Sequence, residues 1–111
     1  MKATSQLALK RLNVLAALTP EAARRATNAH HFGDLLEQVG DLAGARLQSR
    51  IGNSLGFMFI RCSKLLESAG RPKRRTPRRR DRKAAELILR REVRRVTLDH
   101  DLECALAAKG E

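Results

Sequence analysis

The sequence has little of the material from which β-sheets and membrane spans are built. It contains no tryptophan and no tyrosine, and only seven of its 111 residues are valine or isoleucine, so strand-forming side chains are scarce. No stretch approaches the roughly 18 uninterrupted apolar residues of a membrane helix. Near the amino terminus, Lys10 and Arg11 interrupt the apolar run that a signal peptide needs. Alanine and leucine dominate instead and favour helix, so the composition predicts an all-α protein, with the cytoplasm as its expected location.

Only two cysteines are present, Cys62 and Cys104, and their apolar helical contexts predict reduced, packed thiols rather than a disulfide framework. A metal site is one alternative, because His100 lies one helical turn before Cys104 and His30, His31 and Cys62 are further ligand types. The paired spacing of a zinc knuckle is missing, and no local signature of a catalytic cysteine occurs. We therefore predict a non-enzyme with no catalytic residue, no metal and no cofactor.

Charge is concentrated in one short segment. Lysine and arginine number 23 against 12 aspartates and glutamates, a net charge of +11. Residues 71–83 hold nine basic side chains, two prolines and no apolar side chain, so this segment can bury nothing and is expected to be a partly flexible basic arm. It divides the chain into a helical domain over 1–70, the arm over 71–83, and a C-terminal region over 84–111 with an arginine-rich helix and an acidic terminal helix.

Capping signals predict a small bundle of about five helices. Pro20 after Thr19 fits the first position of a new helix, Gly33 before Asp34 fits a helix end followed by a capping residue, and Gly52 is part of a turn signal. The predicted helices cover 5–18, 20–31, 35–51, 55–69 and a stretch from about 77 or 82 to 96, followed by a terminal piece.

The apolar stripes predict where the core lies. The hairpin over 34–70 has the clearest stripes, and the three aromatic residues, Phe32, Phe57 and Phe59, lie in it or just before it. We therefore place the packed centre there, with Leu47, Phe59, Cys62 and Leu65 buried.

Beyond the arm, one stripe contains Ala85, Leu89, Val93 and Val96. The next contains Leu98, Leu102, Ala105 and Leu106. The second stripe is rotated by about 200° from the first, so one straight helix cannot bury both against one surface. The pattern therefore predicts a break near Thr97.

The basic segment is the strongest functional signal, because dense guanidinium groups bind phosphates whatever the base sequence. The predicted nucleic-acid-binding residues are Arg71, Lys73, Arg74, Arg75, Arg78, Arg79, Arg80, Arg82 and Lys83 of the arm and Arg90, Arg91, Arg94 and Arg95 of the following helix. No aromatic residue lies in the arm to stack on bases. A helix-turn-helix is disfavoured because residues 54–60 are mostly apolar where base-reading polar side chains are needed. We predict a small regulatory or accessory protein that binds nucleic acid without sequence specificity.

A protein-binding regulator, such as an adaptor, inhibitor or anti-activator, is the alternative, with an apolar helix face docked on a partner protein. A homodimer is also expected, because pairing would hide surplus apolar side chains such as Phe57 and Ile60. Finally, the acidic residues near the C-terminus are expected to fold back on the basic arm and weaken its binding to phosphates.

Overall fold

A computed structural model describes residues 2–69 and 76–110, and within these ranges the chain forms three α-helices and no strand. They are α1 (Lys2–Gln38), α2 (Leu42–Ala69) and α3 (Arg79–Gly110). The bundle is elongated, measuring 59 × 27 × 24 Å. The all-α class is confirmed, whereas the predicted count of about five helices is not. Of the predicted basic arm, residues 71–75 lie outside the described ranges, and the last five residues form the first turns of α3.

The first helix continues through Pro20, where the sequence predicts a new helix. Proline has no N–H, so the carbonyl of Ala16 loses its usual helical hydrogen bond. The hydroxyl of Thr19 donates to the Leu15 carbonyl at 2.6 Å, as threonine does inside a helix rather than at its N-cap. Pro20 itself is exposed, while Ala22 on the packed side is fully buried. Packing therefore keeps α1 continuous across a residue that favours a break.

The connection between α1 and α2 lies at residues 39–41. Gly40 adopts a φ of 87°, and two backbone bonds close the end of α1: the Gly40 N–H donates to the Glu37 carbonyl at 3.0 Å and the Asp41 N–H to the Leu36 carbonyl at 2.9 Å. This is a Schellman motif. Asp41 then caps α2, because its Oδ1 accepts the Gly44 N–H at 2.9 Å. The predicted helix over 35–51 is therefore wrong, since it spans this turn.

Two glycines that suggest helix ends lie inside helices instead. A Cβ at Gly33 would lie 3.3 Å from the Cβ of Gln48, and a Cβ at Gly52 would lie 2.6 Å from Nε2 of His30. At both positions α1 and α2 approach each other closely, and Gly33 and Gly52 are buried there. Their role is helix packing, so the predicted boundaries at 33 and 52 are wrong.

The core combines all three helices around an alanine-rich face of α1. Its buried members are Ala17, Leu18, Ala22, Ala26, Ala29, Ile51, Leu55, Met58, Cys62, Ala85, Leu89 and Val96. Of the predicted centre, Cys62 is buried and Leu47 packs against the core, but Phe59 is 36% exposed and Leu65 is 55% exposed. The buried face of α2 is thus rotated about the helix axis relative to the predicted one, so that Phe59 and Leu65 lie outside it. The centre lies between α1, α2 and α3 rather than in a hairpin over 34–70.

The first predicted stripe of α3 is confirmed, since Ala85, Leu89 and Val96 are buried and Val93 packs against them. The predicted break near Thr97 is wrong. Thr97 is inside the helix and its hydroxyl donates to the Val93 carbonyl at 2.8 Å. The second stripe consequently faces solvent, with Leu98, Leu102 and Leu106 between 57% and 60% exposed. The division of the chain into 1–70, 71–83 and 84–111 stays a prediction, and α3 shares one core with α1 and α2.

None of the three helices, over the part of the chain that is described, is both long and apolar enough to cross a membrane.

Candidate nucleic-acid interface

The packing of α1 on α2 decides which basic residues meet. The two helices run antiparallel, because Thr19 contacts Cys62 while His30, further along α1, lies against Gly52. The start of α1 therefore lies near the end of α2.

The start of α3 lies at this same end. A groove of about 440 Å³ between α1 and α3 is lined by Lys10, Arg11, Val14, Leu15, Leu18, Ala84 and Ile88. Three segments that are far apart in the sequence thus contribute to one end of the bundle.

This basic end carries a dense group of exposed cations. We define it by Lys10, Arg11, Lys64, Arg78, Arg79, Arg80, Arg82 and Lys83, all of which are exposed. Nε of Arg80 lies 3.9 Å from Oδ1 of the buried Asp81. The other cations of the basic end form no ion pair with any described residue, so their donors face solvent.

Five of the predicted arm residues, from Arg78 to Lys83, belong to the basic end. The other four, Arg71, Lys73, Arg74 and Arg75, lie outside the described residues. Sequence reasoning missed Lys10 and Arg11, because they precede the arm by some sixty positions and no local pattern links them to it. Only the antiparallel packing of the helices brings them to the start of α3.

The four predicted arginines further along α3 are all exposed but fall into two pairs. Arg90 donates from Nε to Glu86 at 3.1 Å, and Arg95 forms ion pairs with Glu92 and, at 3.2 Å, with Asp99. Arg91 and Arg94 form no ion pair with a described residue. Arg91 and Arg94, the second pair, are therefore available to an external anion, whereas Arg90 and Arg95, the first pair, already have carboxylate partners.

The carboxylates that hold the first pair also attach α3 to its neighbours. Glu86 pairs with Arg25 of α1, and Glu92 accepts the Ser54 hydroxyl of α2 at 2.6 Å. The Arg25 guanidinium lowers the pKa of Glu86. In the same way, hydrogen bonds from Arg95 and then from Ser54 lower the pKa of Glu92. Both carboxylates are therefore stabilised in the charged form, and their arginine partners are structural.

Asp101 and Glu103, near the C-terminal end of α3, lie far from the basic end. Asp101 is twenty residues after Asp81 in one continuous helix, a distance of about 30 Å at 1.5 Å per residue. Glu103 pairs with Arg50 of α2 at 2.5 Å, which lowers the pKa of Glu103. The expected fold-back of these acids on residues 79–83 is therefore wrong, because α3 holds the two groups apart.

A second groove, of about 620 Å³, lies between α2 and α3, but its charges are balanced. It is lined by Arg50, Asn53, Ser54, Phe57, Arg61, Glu92, Arg95, Val96, Asp99 and Glu103. Three arginines thus face three carboxylates, and two of the arginines are already paired with them. An added phosphate would meet carboxylates here, so this groove is a weaker anion site than the basic end.

The cysteines and histidines do not assemble a reactive centre in the described part of the chain. Cys62 is buried, and burial raises the pKa of its thiol, which disfavours the nucleophilic thiolate. Sγ of the exposed Cys104 lies 3.5 Å from Nε2 of the buried His100. No group of three or more potential metal ligands forms among the described residues.

Comparisons with protein-family models, curated proteins and solved structures give no match to this chain.

Proposed function

We propose that this chain is a non-enzymatic nucleic-acid-binding protein of the cytoplasm that contacts phosphates through its basic end. The observation that supports the proposal most strongly is the convergence of Lys10 and Arg11 with the arginines at the start of α3, all exposed and nearly all without a carboxylate partner among the described residues. Converging cations of this kind release counterions from a nucleic acid when they bind its phosphates.

The mode of contact follows from the side chains at this end. Arginine forks match phosphate oxygens in pairs of hydrogen bonds, and they do so on any base sequence. The three phenylalanines lie elsewhere, on the later part of α1 and the middle of α2, so the basic end offers no aromatic platform for base stacking. The proposed function is therefore regulatory or accessory binding without sequence specificity, and Arg91 and Arg94 extend the contact surface along α3.

The proposal is tested by titrating generic duplex DNA and RNA with the full chain at rising salt. If about six phosphates are neutralised, affinity should fall with a log-log slope on the order of −5. Replacing Arg79, Arg82 and Lys83 together by glutamine should weaken binding and lower the slope by up to about 3, since each cation contributes roughly 0.9.

A matched control removes the same charge from elsewhere, by replacing Arg24, Arg46 and Lys109 by glutamine. These residues are exposed and lie away from the basic end, so the slope should stay near that of the natural chain. Equal effects of the two triple variants would show that net charge alone attracts the nucleic acid. Absence of binding at low salt would refute the proposal.

A second candidate function, a protein-binding regulator, is favoured by the apolar side chains left in solvent. Phe57 is 65% exposed and Ile60 is 47% exposed on α2, and exposed apolar groups of this size mark interaction surfaces when they are contiguous. The two functions are distinguished by their salt dependence, because docking of an apolar face changes little with salt whereas phosphate binding weakens steeply.

A further inference from the structure

The side of α3 that points away from the core carries its own apolar and charged pattern. At 100° per residue, positions spaced by three and four residues share one side of a helix. We name the side opposite the buried stripe the outer face; it consists of Leu87, Arg91, Arg94, Leu98, Asp101 and Leu102. All six side chains are exposed, the three leucines by 50% to 60%. The outer face thus combines exposed leucines with charges of both signs.

The charges of the outer face cannot satisfy one another within one chain. Arg94 and Asp101 are seven residues apart, so they lie on the same edge of the helix but about 10 Å apart along its axis. Neither forms an ion pair with a described residue. The midpoint between them falls between Thr97 and Leu98, and Leu98 is 57% exposed.

We propose that two copies of this chain associate through the outer face of α3, with the two helices antiparallel. A twofold axis beside Leu98 then places Arg94 of each copy next to Asp101 of the other, which gives two identical ion pairs. Leu98 packs against its equivalent at the axis, and Leu102 packs against the aliphatic parts of Arg91 and Arg94 across the interface. Such an interface is self-complementary, as a closed dimer requires.

The charges select the antiparallel orientation. In a parallel pair, opposite edges of the two helices meet, so Arg94 and Asp101, which share one edge, would not come together. Arg94 would instead lie near Arg91 of the other copy, which is a like-charge contact. Only the antiparallel arrangement exchanges like-charge contacts for attractive ones. This inference does not depend on nucleic-acid binding, because no residue of the basic end belongs to the outer face.

Sedimentation equilibrium of the full chain tests the association, over concentrations from about 1 to 100 μM, where micromolar complexes of moderate affinity dissociate. The natural chain should dimerise in this range, and Leu98→Gln should weaken dimerisation at least tenfold. Ile60→Gln is the matched control, because Ile60 is also an exposed apolar residue but lies on α2; it should leave the dimer unchanged. Circular dichroism verifies that each variant keeps its helix content.

A charge exchange tests the orientation. Arg94→Glu and Asp101→Arg should each weaken dimerisation several-fold, since each replaces two attractive contacts by repulsive ones. The double variant carrying both changes should dimerise again like the natural chain. A chain that stays monomeric up to about 100 μM, a dimer insensitive to Leu98→Gln, or a double variant as weak as the single ones would each overturn the proposal.

Discussion

Replacing Pro20 by alanine distinguishes a continuous α1 from two successive helices. In the structure Pro20 lies in the interior of a 37-residue helix and is exposed, so its side chain contributes little packing. Proline in a helix interior is less favourable than alanine by about 3 kcal/mol. Proline also restricts the unfolded chain, and losing that restriction offsets roughly 0.4 to 1 kcal/mol. Pro20→Ala should therefore stabilise the protein by about 2 kcal/mol.

Urea unfolding followed by circular dichroism measures this difference, with an unchanged m-value showing that the same surface is exposed in both proteins. Pro77 precedes α3 and does not lie inside a helix, so Pro77→Ala is the control and should stay within about 0.5 kcal/mol of the natural chain. If Pro20 were instead the first residue of a separate helix, its missing N–H would cost nothing there. A neutral or destabilising Pro20→Ala would thus refute a continuous α1.

The remaining predictions concern burial and ionisation. Leu89→Ala should lower the free energy of unfolding by about 2 to 5 kcal/mol, because Leu89 is fully buried. Leu65→Ala should change the free energy of unfolding by less than about 0.5 kcal/mol, because Leu65 is 55% exposed. Equal melting temperatures for the two variants would contradict a core centred on Leu89. A disulfide reagent should modify Cys104 quickly and Cys62 only on unfolding, which thiol titration with and without denaturant measures, and rapid modification of both would contradict burial of Cys62. The folded-state pKa of Glu92 is lowered by hydrogen bonds, first of all from an arginine, so its stabilising effect is present above the ordinary glutamate pKa and is lost as the pH falls from about 5 toward 3. Melting temperatures of Glu92→Gln should therefore decline less over that range than those of the natural chain, and parallel declines would show that the pairing contributes nothing.

The helix boundaries show why local signals alone misplace the turn. A glycine followed by an aspartate occurs twice, at Gly33 with Asp34 and at Gly40 with Asp41, and both pairs fit a helix end followed by an N-cap. The chain uses the second pair, where Gly40 adopts a positive φ. Gly33 is needed inside α1, where a side chain would press on Gln48. That contact exists only after α1 and α2 have paired, so no local property of the sequence distinguishes the two sites.

The buried face of α3 was predictable over the part of the helix where a single periodic stripe packs against α1 and α2. The spacing of Ala85, Leu89 and Val96 identifies the buried face of α3 because a helix against a flat core can bury only one stripe. A straight helix cannot bury two stripes against one surface, and α3 accordingly buries only the first. It leaves Leu98 and Leu102 in solvent and does not break at Thr97. Whether another surface covers the second stripe cannot be inferred from the sequence.

The two proposals together account for the charge distribution of α3. Within one chain the helix separates the basic end from the acidic residues near its C-terminus, so the excess positive charge cannot be neutralised internally. Phosphates would neutralise the basic end, and a second antiparallel copy would neutralise Arg94 with Asp101. The dimer interface and the proposed phosphate-binding surface share only Arg91 and Arg94, so phosphate binding at the basic end is compatible with the dimer. Competition is confined to these two arginines, and a dimer would hold its two basic ends at opposite ends of the paired helices, where they contact phosphates at separate places.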